Sequence, residues 1–401
     1  MGLFPLRCST CLRIRVKIDG CISGLTRIMT DFSTLTAPGI NDLHPYVPGK
    51  PIEELERELG LSGTIKLASN ENPLGPSPLG AQAAADVIAD INLYPDDSGY
   101  RLKKKLADRH GLRSQELVLG AGSSDVIDMV ARSFLAPGRN AVFSRYSFAM
   151  YPIYTTAAGA QCRVADACPA DHATMPYGHD LDAMAELVDG DTRVVFIANP
   201  NNPTGTWLTK DRLYAFLQKL RDDVIVVLDE AYTEYVTEAA FPNGVAWLAE
   251  FPNLIVTRTF SKIYGLAGLR VGYGMASAPL VDLISRVRHP FNVSMPALAA
   301  AEAALEDVEF LRRSRDNNDQ GLAQLAAGFQ TLGLDYIPSA GNFITVNLRR
   351  NAGEIYQKML ENGVIVRPVA NYDLPEHLRV TVGAPAENRR FLEVLERVLA
   401  P

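Results

Sequence analysis

Cysteine and histidine are both scarce in this chain of 401 residues, which has five cysteines and six histidines. So few cysteines cannot form the disulfide framework of a chain of this size. Two of them, Cys8 and Cys11, have the spacing of metal ligands, but no second pair follows them and no two histidines stand four residues apart. We therefore predict neither disulfides nor a metal site. The cysteines are Cys8, Cys11, Cys21, Cys162 and Cys168.

The chain also lacks a basic stripe and a long apolar run. Its formal net charge is −7 at pH 7, so a nucleic-acid partner is not expected. No apolar run approaches the roughly 20 residues that span a bilayer, and we expect a cytoplasmic protein without a membrane segment. Apolar residues make up 47% of the chain, enough for a sizeable core. This length predicts one large domain and one smaller one.

The first 28 residues differ in composition from the rest. They contain five basic residues against one acid, Asp19, and three of the five cysteines. This composition is compatible with a transit peptide, whereas a secretory signal would need a longer apolar core. We favour a disordered extension, or one that results from a wrongly assigned start, with the folded protein beginning near Met29.

Short apolar runs alternate with helix-prone stretches between about residues 80 and 280. This alternation is typical of an α/β fold, in which a mainly parallel sheet has helices on both faces. The later segments predict a compact, smaller α+β domain with a long helix-prone stretch after Pro296. The predicted strands are Glu116–Leu119, Asn140–Phe143, Arg193–Ala198, Val224–Leu228, Leu254–Thr257, Val271–Met275, Phe343–Leu348, Val364–Val366 and Leu378–Val382, with helices near 353–362 and at the end.

One lysine, Lys262, stands just after a predicted strand. Partial burial there would favour its neutral, nucleophilic amine. Hydroxyls at Thr259 and Ser261 and the guanidinium of Arg270 could together hold a dianion. A lysine beside a phosphate clamp is what an enzyme that uses pyridoxal phosphate requires. For a lysine considered alone, an exposed loop position is the more common explanation.

Two other predicted strands also end in polar side chains. Asp229 follows an unbroken apolar run, at the edge where ligands bind in open α/β sheets, and could pair with a protonated pyridine nitrogen. Tyr232 and Asn202 could donate to the phenolic oxygen of such a ring. A helix cap at Asp229 and a turn at Asn199–Gly205 are the alternative explanations.

A glycine-rich stretch, Gly120–Asp125, leads from a predicted strand into a predicted helix. Free N–H groups and the positive end of the helix dipole favour a phosphate at such a position. Serine and aspartate also cap helices routinely, so this stretch is weak evidence by itself.

In this order, the motifs resemble those of fold-type-I pyridoxal phosphate aminotransferases, and most of all the histidinol-phosphate aminotransferase family. The resemblance extends from about Leu43 to the C-terminus. It is highly specific for fold and cofactor and less specific for substrate. Further matching segments are Lys66–Pro78, Tyr94–Asp96, Tyr146–Tyr151 and Leu378–Gly383.

The resemblance implies a role for each candidate residue around pyridoxal phosphate. Lys262 would hold the cofactor and move a proton during the reaction, Asp229 would pair with the pyridine nitrogen, and Asn202 and Tyr232 would hold the phenolic oxygen. Phe148 would stack on the ring, although a core position explains it equally well. The phosphate ligands would be Ser123, Ser124, Thr259, Ser261 and Arg270. The family usually has Gly-Ser-Asp-Glu where this chain has Gly122-Ser-Ser-Asp125, so Ser123 is better supported than Ser124.

The resemblance also implies substrates. Arg379 would grip the α-carboxylate of glutamate with two hydrogen bonds, and Arg379 and Arg367 would hold the phosphate of an amino alcohol phosphate. Tyr46 would cover the substrate and Asn342 would lie near it. The implied reaction converts imidazole acetol phosphate and glutamate to histidinol phosphate and 2-oxoglutarate, in histidine biosynthesis. Alternatives are an aromatic amino acid aminotransferase, a phosphothreonine-type decarboxylase and a non-catalytic regulator.

A homodimer with shared sites is the last implication. Tyr94 matches the tyrosine that reaches the cofactor phosphate of the partner subunit, and Tyr46 would also come from the partner. A turn at Tyr94–Gly99 is the alternative explanation. The implied division is an N-terminal arm at 29–65 that packs with the small domain, a large cofactor-binding domain at 66–295 and a small C-terminal domain at 296–401.

Overall fold

The computed structural model describes residues 31–45 and 48–400. The predicted N-terminal extension, residues 1–28, and Tyr46 therefore lie outside the described residues. Residues 31–36 belong to a separate unit, in which a short 3₁₀ turn at Phe32–Leu35 begins where Asp31 accepts from the backbone N–H of Ser33. The second unit begins at Ala37 and contains every element described below.

The described residues form twelve α-helices and thirteen strands. The helices are α1 (Ile52–Leu59), α2 (Pro78–Asp86), α3 (Tyr100–His110), α4 (Ser123–Phe134), α5 (Met150–Ala157), α6 (Leu181–Glu186), α7 (Lys210–Lys219), α8 (Ala278–Ser285), α9 (Met295–Ala304), α10 (Val308–Thr331), α11 (Ala352–Glu361) and α12 (Pro385–Leu399). The strands are β1 (Ile65–Lys66), β2 (Leu117–Gly120), β3 (Asn140–Ser144), β4 (Gln161–Ala165), β5 (Thr192–Ala198), β6 (Ile225–Asp229), β7 (Leu254–Thr259), β8 (Gly272–Ala276), β9 (Asp335–Ile337), β10 (Phe343–Asn347), β11 (Val364–Ile365), β12 (Arg367–Val369) and β13 (Leu374–Thr381).

Seven strands form one large sheet, in the order β2-β8-β7-β6-β5-β3-β4. The pairs from β4 to β7 are parallel, whereas β8 runs antiparallel to both of its neighbours. Its central strands are buried along nearly their whole length because hydrophobic clusters cover both faces. The predicted α/β fold with a mainly parallel sheet flanked by helices is confirmed.

A second, antiparallel sheet has the order β12-β13-β10-β9. Its core contains Phe329 of α10, Phe391 of α12 and Met359 of α11, which pack against β10 and β13. Helix α1 packs nearby, where Leu55 contacts the cluster around Ile365. Strand β1 pairs in parallel with β11 in a separate two-stranded sheet, and the backbone N–H of Thr381 in β13 donates to the carbonyl of Leu67 just after β1.

The structure differs from the pattern read in the sequence in several short strands and in the region after Pro296. The short strands β1, β9 and β12 were not predicted. Strand β4 was not predicted, because it is an edge strand on which Val164 remains 49% exposed and the apolar run is short. The stretch after Pro296 is divided between α9 and α10, with Asp307 accepting from the N–H of Phe310 at the start of α10. Buried alanines of α9 belong to the core of the seven-stranded sheet, while the domain division at residues 295 and 296 stays a prediction.

Of the helices in residues 31–45 and 48–400, none is both long and apolar enough to cross a membrane.

Candidate active site

A cavity of about 280 Å³ lies at the carboxyl edge of the seven-stranded sheet. Parallel strands deliver the side chains that follow them to this one edge, which is why residues far apart in sequence meet there. Predicted site residues in its lining are Ser123, Ser124, Phe148, Asn202, Asp229, Tyr232, Thr259, Ser261, Lys262, Arg270 and Arg379. The structure therefore brings together most of the candidates from the sequence.

Lys262 follows the end of β7 and projects its amine into the cavity. Burial and, to a smaller extent, the positive charge of Arg379 lower the pKa of this amine to about 7, while Glu71 acts in the opposite direction. Nζ donates to the backbone carbonyl of Ser69 at 3.2 Å. A substantial fraction of the amine is therefore neutral near pH 7, which is the form that attacks a carbonyl group.

Asp229 is the last residue of β6, and only 5% of its surface is exposed. Burial raises the pKa of its carboxyl to about 6, although hydrogen bonds from Thr257 and Tyr151 oppose that shift. Thr257 Oγ1 donates to Oδ1 at 3.1 Å and Tyr151 Oη to Oδ2 at 3.2 Å. The Tyr151 ring is fully buried and stacks on Phe196 at 4.8 Å. The carboxylate therefore has a fixed orientation and would gain from a positively charged partner in the cavity.

The start of α4 and the β7–β8 connection form an anion cradle. Arg270 donates from Nη1 to Ser261 Oγ at 3.2 Å, and α4 presents its N-terminal N–H groups from Ser123 onwards. Two glycines keep this space open. A Cβ at Gly122 would lie 2.6 Å from Arg270 Nη2, and one at Gly272 would lie 2.4 Å from the backbone nitrogen of Ser123. These residues fit a bound phosphate group.

The opposite wall of the cavity is polar and tightly hydrogen-bonded. Arg379, 5% exposed, donates from Nη1 to Asn202 Oδ1 at 2.5 Å and from Nη2 to the carbonyl of Ala68 at 2.7 Å. Within the described residues its Nε has no hydrogen-bond partner. Tyr232 Oη accepts from Asn70 Nδ2 at 2.9 Å, and burial raises the pKa of this tyrosine to about 12. A buried guanidinium with an unused donor is suited to a carboxylate or phosphate oxygen.

Other candidates lie elsewhere. Tyr94 is 79% exposed and stacks on Phe291 at 4.5 Å, outside the lining of this cavity. Asn342 is buried behind the lining, where its Nδ2 donates to the carbonyl of Asn70 at 3.0 Å. Arg367 lines a second, larger cavity of about 650 Å³.

Several residues in contact with the site were not singled out from the sequence. Ser69 and Asn70 lie in an irregular segment after β1, where no helical or strand periodicity points to a function. The sequence around Tyr151 predicts an aromatic residue of the core, and Thr257 lies within a predicted strand, where nothing indicates a function. Only the tertiary structure shows that their polar atoms face the cavity residues.

Comparison with known proteins gives a consistent result. Residues 62–395 match the family model for aminotransferase class I and II. The chain is 56% identical, over 92% of its length and 99% of the relative, to histidinol-phosphate aminotransferase 2 of Pseudomonas fluorescens. It is 53% identical to histidinol-phosphate aminotransferase 1 of Nitrosococcus oceani, over 92% of this chain and 98% of the relative. The solved histidinol-phosphate aminotransferase of Sinorhizobium meliloti, in complex with pyridoxal-5'-phosphate, superimposes with a TM-score of 0.81 at 28% identity and covers 94% of this chain and 98% of that one. The chain therefore belongs to the family of class I and II aminotransferases.

Proposed function

We propose that this chain is a pyridoxal phosphate-dependent aminotransferase that exchanges an amino group between histidinol phosphate and 2-oxoglutarate. The observation that carries the proposal is the presence, in one cavity, of a lysine with a lowered pKa, a buried carboxylate with a raised pKa and an anion cradle. When bound, pyridoxal phosphate supplies an electron-withdrawing ring that stabilises negative charge at the substrate carbon.

The residues of the chain would bind and orient the cofactor and move the proton. The neutral amine of Lys262 would hold the cofactor covalently, and the same amine, once the substrate amine has taken its place, would move a proton at the substrate carbon. Asp229 holds the ring nitrogen in its protonated form, because an ionised carboxylate in a buried site stabilises a nearby positive charge. Asn202 and Tyr232 hold the phenolic oxygen, and Phe148 packs on the ring.

The phosphate of the cofactor would be bound by the anion cradle. Backbone N–H groups at the start of α4 and the Arg270 guanidinium supply donors and positive charge on one side of the cavity. The proposed ligands are Ser123, Ser124, Thr259, Ser261 and Arg270.

Arg379 is the proposed ligand of the substrate anion. The Arg379 guanidinium lines the cavity, where the α-carboxylate of glutamate and the phosphate of histidinol phosphate would each supply oxygen acceptors in turn. Arg367 is a further proposed ligand of the substrate phosphate, although it lines the larger cavity. Asn342 supports the wall behind the substrate.

Subunit pairing belongs to the same proposal. The surface around Tyr94 carries exposed apolar side chains, among them Ile91 at 60% and Leu93 at 61% exposure. In the proposed dimer Tyr94 reaches the site of the partner subunit. Because a two-fold interface presents the same patch from both subunits, the partner's Tyr94 then reaches this one.

The test of the substrate is a comparison of kcat/KM for histidinol phosphate, phenylalanine, tyrosine and phosphothreonine with the purified enzyme. We expect histidinol phosphate to be used most efficiently. An Arg367→Gln variant should raise the KM for histidinol phosphate and leave the KM for glutamate unchanged. Faster turnover of the aromatic amino acids would favour an aromatic aminotransferase, and release of carbon dioxide from phosphothreonine would favour a decarboxylase.

A further inference from the structure

Asn70 occupies a constrained position between the two sheets. It is 1% exposed, and its φ of 56° lies in the left-handed region, which asparagine tolerates better than most residues. Its backbone N–H donates to Thr381 Oγ1 at 2.9 Å, and its carbonyl accepts from Asn342 Nδ2 at 3.0 Å. Both partners belong to the side of the four-stranded sheet, so that sheet holds Asn70 in place.

The hydrogen bonds around Asn70 fix which way its side-chain amide faces. Thr381 Oγ1 already accepts from the backbone N–H of Asn70, and its own proton is then donated to Asn70 Oδ1 at 3.1 Å. The amide oxygen therefore faces Thr381. Nδ2 consequently faces Tyr232 Oη, 2.9 Å away, and donates to it.

This arrangement determines the direction of the single hydroxyl proton of Tyr232. Because Tyr232 Oη accepts from Asn70, its own proton is free to point into the cavity that it lines. Burial raises the pKa of Tyr232, so the hydroxyl keeps this proton at neutral pH. Without the Asn70 amide the hydroxyl could rotate.

We propose that Asn70 is a positioning residue that makes the Tyr232 hydroxyl a donor to the phenolic oxygen of the cofactor. The proposal rests on the proposed function, since it assigns that oxygen to Tyr232. It adds a link from the four-stranded sheet, through Thr381 and Asn70, to a group beside the reacting ring. A donor oriented in advance needs no reorganisation when charge develops on its acceptor.

The decisive variant is Asn70→Asp in the protein loaded with pyridoxal phosphate. Aspartate has the same shape and tolerates the left-handed backbone, but its carboxylate only accepts, so the Tyr232 proton turns towards it. A hydrogen bond donated to the phenolic oxygen stabilises negative charge on that oxygen. It therefore favours the form of the bound cofactor that has lost one proton, because that form carries more negative charge on the phenolic oxygen. Loss of this hydrogen bond should therefore raise the apparent pKa of the visible absorbance change by about one unit.

Asn70→Gly provides the matched comparison. Glycine adopts the left-handed conformation without strain and removes the amide, yet leaves the Tyr232 proton free for the cofactor. We expect a smaller pKa shift than in Asn70→Asp. A role in packing alone predicts the opposite order, because glycine leaves a cavity whereas aspartate preserves the volume.

A double variant separates the hydroxyl from the added charge. In a Tyr232→Phe background, Asn70→Asp introduces the same charge but has no hydroxyl to redirect, so the pKa shift should fall to half or less. An equal shift in both backgrounds, or a larger shift in Asn70→Gly than in Asn70→Asp, would overturn the proposal. Failure of the unaltered protein to bind pyridoxal phosphate would instead contradict the proposed function on which it rests.

Discussion

Tyr151 donates a hydrogen bond to Asp229 Oδ2 across 3.2 Å, and both residues are buried beneath the cavity. Thr257 donates to the other carboxylate oxygen at 3.1 Å. Even with both donors, burial raises the pKa of the Asp229 carboxyl to about 6. The cofactor-free protein therefore maintains this carboxylate at a cost in stability.

The first prediction is that Asp229→Asn raises the stability of the cofactor-free protein above pH 6 and abolishes the activity of the protein loaded with the cofactor. The folded carboxyl binds a proton more tightly than the unfolded one, whose ordinary pKa is 3.8, so stability falls as the pH rises from about 4 through 6. A neutral amide avoids this loss, which amounts to at most roughly 3 kcal/mol at pH 7.5. Thermal unfolding of the cofactor-free proteins between pH 4 and 8 measures the difference.

Asp282→Asn is the control for this experiment. Asp282 pairs with Arg286 on an exposed helix surface, where an ion pair contributes little to stability. We expect its unfolding temperature to remain close to that of the unaltered protein. A cofactor-free Asp229→Asn protein that is less stable than the unaltered one at pH 7.5 would contradict the prediction.

The second prediction concerns the anion cradle. In Gly272→Ala, the new methyl group would lie 2.4 Å from the backbone nitrogen of Ser123 and displace the start of α4. We expect binding of pyridoxal phosphate to weaken at least about tenfold, because the displaced start of α4 carries several of the N–H groups that would donate to the phosphate. Fluorescence titration of the cofactor-free protein measures the change.

Gly268→Ala is the matched control, since Gly268 lies in the β7–β8 connection just before Gly272. Among the residues that the structure describes, a Cβ at Gly268 meets no atom within 4 Å, so this variant should bind the cofactor as the unaltered protein does. Equal affinities in Gly272→Ala and Gly268→Ala would show that the cradle does not bind the phosphate.

The third prediction follows from the Lys262 amine, whose pKa burial lowers to about 7. In the cofactor-free protein, the rate of covalent capture of pyridoxal phosphate should rise about tenfold per pH unit below pH 7 and level off above it. An amine with the ordinary lysine pKa of 10.5 would continue to react faster up to pH 9 and beyond. Stopped-flow absorbance at a series of pH values distinguishes the two profiles.

Lys262→Ala should lose both the capture and the transamination. Lys103→Ala is its control, since burial also lowers the pKa of Lys103 although this residue lies in α3, outside the lining of the cavity. Full capture by the Lys262→Ala protein would mean that another amine holds the cofactor.

The fourth prediction tests the shared site. Lys262→Ala and Tyr94→Ala proteins should each have little activity alone, and mixing them should restore some of it. If subunits exchange freely, half of the dimers are mixed and each has one intact site, so about one quarter of the unaltered activity is expected. Activity assays and sedimentation on the same samples provide the measurement. A fully active monomer, or a mixture that stays inactive although its subunits exchange, would be incompatible with sharing.

Much of the candidate site could be predicted because its residues follow a topological rule. Asp229 and Lys262 each follow an apolar strand, and parallel strands bring their carboxyl ends to the same edge. Asn70 obeys no such rule. It contacts Tyr232 across 162 positions of sequence from an irregular segment, so no local pattern indicates the contact. The Tyr94 side chain lies at the surface of this chain, and its predicted contact with a cofactor phosphate requires a second subunit.

The fold shows the same distinction between local and distant information. Buried central strands such as β5 were predicted from their continuous apolar residues, because both of their faces meet helices. The edge strand β4 lacks that signal, since one side of it meets solvent. The other edge strand, β2, is buried along its length and was predicted, so the exposure of a strand, and not its place at the edge, decides whether its apolar run is visible in the sequence.

The antiparallel direction of β8 has a consequence for which sheet carries each proposed ligand. Because β8 returns directly beside β7, Lys262 and Arg270 stand on one short connection between neighbouring strands. If these residues bind the cofactor as proposed, the spacing between its covalent attachment and its phosphate ligand is set within a single connection of the chain. Arg379 belongs to β13 of the other sheet. The proposed attachments of the cofactor therefore lie on one connection of the seven-stranded sheet, whereas the proposed substrate ligand comes from the four-stranded sheet, so both sheets would be needed to hold cofactor and substrate together.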